Sequence, residues 1–206
     1  MNIYEHIDYT LLKANATEKD IFELCRKATI KNCASVCIPS HFVSYAHKIF
    51  PSLNICTVVG FPLGNSTTET KISEAIEAVN NGANEIDMVM NIGELKNKDF
   101  SYVQYEINQI KKAIGDIILK VIIETCYLNE LEIAIATRIV DESLADYVKT
   151  STGFGTRGAS FDDIRIIKHN IFRGTKIKAS GGIRTKKDMN TYIRLGCDRI
   201  GASQLP

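Results

Sequence analysis

The chain has 206 residues, of which 45% are hydrophobic and 24% are charged, an ordinary composition for a folded globular domain. Its 25 basic and 24 acidic residues are mixed along the sequence, so no basic patch or acidic tail points to nucleic acid or a membrane surface. We therefore expect a single domain over residues 1–206 whose partners are small molecules, with no nucleic acid and no membrane among them.

The start of the chain lacks the basic flank and apolar stretch of a signal peptide, and no run reaches membrane-spanning length. Six cysteines are spread widely, mostly in apolar segments, which favours buried thiols in a reducing compartment over a disulfide framework. We therefore expect a cytoplasmic protein without disulfides. The cysteines are Cys25, Cys33, Cys37, Cys56, Cys126 and Cys197.

Short β-rich runs alternate with helical stretches along the whole chain, an order that predicts parallel strands joined by crossover helices. The strands are expected at 7–12, 34–38, 54–60, 85–91, 119–124, 147–150, 176–180 and 199–202.

Helix caps and apolar periodicity predict helices between these strands. Thr17 opens one helix, and Ser66 leads into another that ends at Asn81 and Gly82. Further helices are expected at 102–114, 128–141, 161–168 and 186–195. Eight strands and about seven helices in this order predict a (β/α)8 TIM barrel of the α/β class, with a doubly wound open sheet as the structural alternative.

Polar residues near strand ends are the first candidates for chemistry, because both architectures place the active site beyond the carboxyl ends of the strands. For Glu124 a purely structural role is favoured over a chemical role, and for Asp8 neither role is favoured over the other. The residues selected in this way are Asp8, Asp87, Glu124, Lys149 and Lys178.

Lys149 and Lys178 lie on consecutive strands, each just before small loop residues. Neighbouring strands are about 4.8 Å apart, so two inward-facing lysines at matching heights would bring their ammonium groups together. A neighbouring cation and partial desolvation lower a lysine pKa and favour the free amine that attacks a carbonyl. The alternative, two lysines that point outward to solvent, is less favoured for such a pair. Strand parity groups Tyr147 with Lys149 but does not say which face is inside.

Asp87 lies between Ile86 and Met88 in a strand that should be buried on both faces. A buried carboxylate needs a partner, which Lys149, Lys178 or Lys120 could provide. Beside an imine-forming amine it could pass protons to and from a substrate through water. A purely structural ion pair is the alternative for Asp87.

Two glycine-containing segments after the last two strands indicate a phosphate site. Gly181 and Gly182 allow close backbone approach before Arg184, and Gly201 with Ser203 adds donors opposite. Phosphate binding by the loops after strands 7 and 8 is a recurrent property of this barrel, although an ordinary turn is the alternative.

The sequence gives little support for a metal site, because the four histidines occur singly and Cys33 and Cys37 have strand spacing instead of zinc-site spacing. We expect no metal and no cofactor. The histidines are His6, His41, His47 and His169.

Taken together, the motifs identify the chain as similar to the deoxyribose-phosphate aldolase family, whose class I members form a Schiff base. The resemblance covers nearly the whole chain. It is carried by IDYTLLK (7–13), VVGFPLG (58–64), EIDMVMNIG (85–93), LKVIIET (119–125), YVKTSTGF (147–154), IKASGGIR (177–184) and RIGAS (199–203).

The resemblance implies a lyase that interconverts 2-deoxy-D-ribose 5-phosphate with D-glyceraldehyde 3-phosphate and acetaldehyde. It implies that Lys149 forms the imine, that Lys178 perturbs the pKa of Lys149, and that Asp87 donates and accepts protons. It also implies that Asp8 approaches the substrate hydroxyls. The residues that it places around the phosphate are Gly153, Gly181, Gly182, Arg184, Gly201 and Ser203.

The resemblance weakens at the end of the chain, where the family continues into a closing helix and a tail after strand 8. We expect that closing helix to be missing here and the apolar surface near strands 8 and 1 to favour association, for example as a homodimer. Two other functions stay open from the residues: a phosphosugar isomerase or synthase without imine chemistry, and a non-catalytic phosphosugar-binding barrel.

Overall fold

The computed structural model describes residues 2–206, in which eight parallel strands form a closed barrel. The strands pair in chain order and β8 pairs with β1, so the predicted TIM barrel is confirmed and the open sheet is excluded. The strands are β1 (Ile7–Thr10), β2 (Ser35–Ile38), β3 (Ile55–Val59), β4 (Glu85–Val89), β5 (Ile118–Ile122), β6 (Tyr147–Lys149), β7 (Lys176–Ser180) and β8 (Arg199–Ala202).

Helices lie between the strands. The helix expected to open at Thr17 has Thr17 as its cap, whereas the helix expected from Ser66 is capped one residue later, at Thr67. Thr17, Asn129 and Ser160 each form a capping box with an acidic residue three positions later. The helices are α1 (Glu18–Lys31), α2 (Val43–Ile49), α3 (Thr68–Asn80), α4 (Ile92–Lys96), α5 (Phe100–Ile114), α6 (Glu130–Glu142), α7 (Phe161–His169) and α8 (Lys186–Arg194).

Two helices, α2 and α4, are absent from the sequence prediction. They contain only 7 and 5 residues, which is too short for a clear apolar periodicity. After β8, the described residues 203–206 form no helix, and the Tyr4 hydroxyl donates a hydrogen bond to the Pro206 carbonyl at 3.0 Å.

Alternate residues of each strand face two different environments. One set, which includes Ile86, Val121, Val148 and Ile200, belongs to the apolar core that packs against the helices. The other set faces the barrel interior and includes Lys149 with its parity partner Tyr147. Strand parity groups these residues on one face but does not say which face is inside the barrel. The structure places the face with the charged residues inside. No helix in residues 2–206 is both long and apolar enough to span a bilayer.

Candidate active site

The barrel interior contains a cluster of charged side chains from six strands. All of them are at most 3% exposed except for the arginine, whose side chain is 14% exposed. Because isolated charges are costly to bury, these residues must compensate one another. The acidic members are Asp8, Glu85 and Asp87, and the basic members are Lys120, Lys149, Lys178 and Arg199.

Asp87 is the centre of this cluster. Its Oδ2 accepts hydrogen bonds from Lys149 Nζ and Lys178 Nζ, each at 2.7 Å, and its Oδ1 accepts one from Lys120 Nζ at 2.9 Å. The strand register produces this arrangement, since Lys149 is aligned with Lys178 and Asp87 with Lys120. Burial alone would raise the pKa of Asp87, but the three ammonium groups hold that pKa well below its usual range.

Lys178 lies beside Lys149, as the sequence predicts, but carboxylates surround it as well. Its Nζ is 2.5 Å from Asp8 Oδ2 and 2.7 Å from Asp87 Oδ2. Burial would lower the pKa of Lys178, yet the two carboxylates raise it above its ordinary value, so this lysine keeps its proton. The expected proximity of the two lysines is therefore found, together with a protonated state for Lys178.

A second layer of ion pairs lies deeper in the barrel. Lys120 Nζ is 2.6 Å from Glu85 Oε2, and Arg199 lies 2.6 Å from Asp8 and 3.0 Å from Glu85. Asp8 is fully buried here, and its pKa is lowered because Lys178, Lys120 and Arg199 outweigh the effect of burial. Asp8 is therefore an ion-pair partner of Lys178. Its approach to the substrate hydroxyls stays a prediction.

A cavity of about 250 Å³ opens at the carboxyl ends of the strands. Lys149 is the one lysine of the charged cluster that lines it, while Lys178 and Asp87 lie behind Lys149. The cavity also contains every loop residue predicted for phosphate: Gly153, Gly181, Gly182, Arg184, Gly201 and Ser203. Sequence reasoning missed Leu11, Leu12 and Lys13 in the lining, although these residues follow β1 directly.

Two loops at the mouth of the cavity pack closely through glycines. A Cβ atom on Gly181, whose φ is +88°, would lie 2.8 Å from the Gly158 Cα atom. Among residues 2–206, the N–H groups of Gly153, Gly181 and Gly182 have no hydrogen-bond acceptor. Free backbone donors on tight loops are suited to bind an anion such as phosphate.

Cys37, Cys56 and Asp87 place three potential metal ligands within 4.8 Å of one another. The Cys56 thiol is 3.2 Å from Asp87 Oδ1, and Lys120 Nζ is 3.3 Å from Cys56 Sγ. Since Asp87 already accepts hydrogen bonds from three ammonium groups, electrostatic repulsion disfavours a further cation at this point.

Comparison with known proteins agrees with the aldolase chemistry that the geometry of the site suggests. Residues 4–203 match the family described as DeoC/LacD family aldolase. The chain is 51% identical to a deoxyribose-phosphate aldolase of Clostridium botulinum (strain Alaska E43 / Type E3) over 98% of this chain and 92% of the relative.

Two solved structures show the same fold. The first, described as QR15, an aldolase, has a TM-score of 0.96 at 39% identity and is matched over 98% of this chain and 92% of its own. The second is a tetrameric deoxyribose phosphate aldolase from Aeropyrum pernix, with a TM-score of 0.87 at 29% identity over 98% of this chain and 86% of its own.

Proposed function

The chain belongs to the DeoC/LacD family of aldolases, and from this premise we propose that it reversibly cleaves 2-deoxy-D-ribose 5-phosphate to D-glyceraldehyde 3-phosphate and acetaldehyde. The names of its relatives support this substrate. The observation that carries the proposal is the position of Lys149, which lines the cavity while its ammonium group is 2.7 Å from Asp87. An amine that lines a small cavity, beside a group that exchanges protons, is what imine formation requires.

Lys149 is the nucleophile in this proposal. Lys149 passes one ammonium proton to Asp87, and its neutral amine attacks the aldehyde carbon of the open-chain sugar to form a carbinolamine. The proton returns from Asp87 to the carbinolamine hydroxyl, which leaves as water and gives a protonated imine. The imine keeps one positive charge beside Asp87, so the carboxylate that pairs with the ammonium group also stabilises the imine. This electrostatic match means that the charge balance of the buried cluster is maintained through the step.

Carbon–carbon cleavage then follows from the same arrangement. The C3 hydroxyl gives up its proton as the C2–C3 bond breaks, and the electron pair of that bond moves toward the imine nitrogen to form an enamine. Asp87 accepts the proton through a water molecule and returns it to the enamine carbon, while Lys178 holds Asp87 from the other side. Hydrolysis of the resulting imine releases acetaldehyde and restores Lys149.

In this proposal the loops after β6, β7 and β8 bind the phosphate of the substrate. Free N–H groups of Gly153, Gly181 and Gly182 and the hydroxyl of Ser203 are its donors, with Arg184 as a cation. Asp8 pairs with Lys178 at 2.5 Å. The six free cysteines are in keeping with the cytoplasm as the compartment, and self-association into a homodimer stays a prediction.

The test is to trap the imine. Folded protein is incubated with acetaldehyde and borohydride, and peptide mass mapping locates the ethyl group. We expect the ethyl group on Lys149, because this lysine lines the cavity.

Lys120 and Lys178 are internal controls for this experiment, since both are fully buried in the same cluster and neither lines the cavity. The Lys149→Met variant should lose both the adduct and cleavage of deoxyribose 5-phosphate. An unmodified Lys149 in folded protein, or a Lys149→Met variant that still cleaves the sugar phosphate, would contradict the proposed function.

A further inference from the structure

Glu124 occupies an unusual position at the end of β5. It is a non-glycine residue with a φ of +50°, and it is only 1% exposed. Left-handed backbone is strained for a residue with a Cβ atom. Burial of a carboxylate is a further cost unless the group is well bonded, and the ion pairs within residues 2–206 do not include Glu124. A strained backbone and a buried carboxylate at the same residue indicate that Glu124 has a role that offsets both costs.

The carboxylate of Glu124 is directed at the loop that follows β6. Its Oε2 accepts a hydrogen bond from the Thr152 N–H at 3.1 Å and another from the Thr152 hydroxyl. The hydroxyl has a single proton, which it gives to Glu124, so its oxygen is free to accept the Phe154 N–H at 3.0 Å. Glu124 thereby fixes the orientation of the hydroxyl that in turn holds Phe154.

These contacts fix the backbone on both sides of Gly153. Thr152 precedes this glycine and Phe154 follows it, and the backbone of Gly153 itself has a φ of +87° and a free N–H at the cavity. Space around the loop is equally restricted, because a Cβ atom on Gly155 would lie 2.5 Å from Cys126 Sγ and 3.4 Å from the Glu124 carboxylate. The loop therefore has little freedom to move Gly153 away from the cavity.

We infer that Glu124 is a positioning residue for substrate phosphate: through Thr152 it holds the N–H of Gly153 at the cavity. The inference rests on the proposed function, in which the N–H of Gly153 donates a hydrogen bond to the substrate phosphate. Within residues 2–206, Glu124 has no hydrogen bond or ion pair with the charged cluster around Lys149, so its effect should concern binding of the phosphorylated substrate and not the imine chemistry.

The experiment compares Glu124→Gln and Thr152→Val on two substrates, 2-deoxyribose 5-phosphate and unphosphorylated 2-deoxyribose. For the phosphorylated sugar we expect KM to rise about tenfold, equivalent to about 1.4 kcal/mol, with kcat within about threefold of the parent protein. For the unphosphorylated sugar we expect kcat/KM to stay within about twofold. The double variant should be no worse than Thr152→Val alone, because Glu124→Gln weakens the same chain of hydrogen bonds, by loss of the negative charge, that Thr152→Val interrupts.

Thr152→Ser is the matched control, since it keeps the hydroxyl and should restore the KM of the parent protein. Thr152→Val also keeps the test decisive if Glu124→Gln does not fold. Equal losses on both substrates would overturn the inference in favour of a general structural role. A lower KM in Glu124→Gln would overturn it too, because that result would mean that the carboxylate mainly repels phosphate.

The acetaldehyde and borohydride trap separates this inference from the function on which it rests. Acetaldehyde has no phosphate, so Glu124→Gln should be labelled on Lys149 as the parent protein is. Parent protein that is not labelled and does not cleave deoxyribose 5-phosphate would overturn both. A labelled and active parent protein with no KM change in the variants would overturn the positioning role alone.

Discussion

At the scale of single residues, the mouth of the cavity depends on positions where no side chain fits. Gly181 and Gly158 approach so closely that a Cβ atom on Gly158 would lie 2.1 Å from the Gly181 carbonyl oxygen. The loop after β7 thus rests directly on the backbone of the loop after β6. Glycine at 181 is needed both for its positive φ and for this contact, and the two requirements can be separated by experiment.

Gly181→Ala should therefore raise KM for deoxyribose 5-phosphate about tenfold or more, since the added methyl group pushes two phosphate-binding loops apart. Gly174→Ala is the matched control, because Gly174 has a similar φ of +90° but a Cβ atom placed there would meet no other atom within 4 Å. Both variants should lose roughly 1 to 2 kcal/mol of stability from left-handed strain. Steady-state kinetics and urea unfolding measure the two effects, and a KM change of the same size in Gly174→Ala would refute this assignment.

At the scale of elements, a buried ion pair joins α3 to α5. Lys71 Nζ is 2.9 Å from Glu106 Oε2, and both side chains are fully buried. Lys71 also donates to the Val89 carbonyl at 2.9 Å, and Glu106 accepts the Asn91 N–H at 3.3 Å, so the pair is tied to the end of β4. Burial raises the pKa of Glu106 and lowers the pKa of Lys71, which shows that desolvation opposes both charges.

Lys71→Met should consequently reduce the free energy of unfolding by about 3 to 5 kcal/mol, because it leaves the Glu106 carboxylate buried without its cation. The double variant Lys71→Met/Glu106→Leu should be more stable than the single variant, since no charge then remains buried. Urea unfolding at neutral pH measures both. The exposed pair Arg26 and Glu23 is the control, and Arg26→Met should change stability little. A double variant less stable than Lys71→Met would show that this explanation is wrong.

At the scale of the whole molecule, the barrel is unusual in that charges and not only apolar side chains fill its interior. Asp8 and Asp87 are held ionised by the surrounding cations, which lower the pKa of both below its ordinary value despite their burial. Lys120 and Lys178 are held protonated by the carboxylates, which raise their pKa against the effect of burial. The stability of the barrel is therefore coupled to pH at both ends of the range.

The sign of that coupling differs between the two kinds of group. The depressed pKa of each carboxylate stabilises the fold above the unfolded value of about 3.9, and this contribution declines as pH falls toward the folded pKa. The raised pKa of each lysine stabilises the fold below the unfolded value of about 10.4, and this contribution declines as pH rises toward the folded pKa. We expect a plateau in the free energy of unfolding between about pH 5 and 9, with losses on both sides.

Urea unfolding across the pH range, at low and at high salt, measures this plateau. The acid loss should persist in high salt, because ions in solution screen buried pairs poorly. Equal stability at pH 7 and pH 3 would contradict a role for the buried carboxylates.

Much of this protein could be predicted from local sequence patterns. The alternation of strands and helices, the cap at Thr17, and the position of Lys149 at the end of a strand all depend on backbone geometry within a few residues. Helices α2 and α4 could not be found in this way, because one or two helical turns are stabilised by their packing and not by a periodic pattern of their own.

By itself, then, the sequence determined the order of elements, the barrel and the residues available for chemistry. Only the tertiary structure decided which strand face is inside, that Lys149 reaches the cavity while Lys178 does not, that Asp8 and Arg199 form a layer below them, and that Glu124 bonds to the loop after β6. The physical reason is that these relations depend on strand register and barrel closure, which join residues as far apart as Asp8 and Arg199. Local propensity carries no information about such pairs, whereas the cost of burying each charge selects them once the chain has folded.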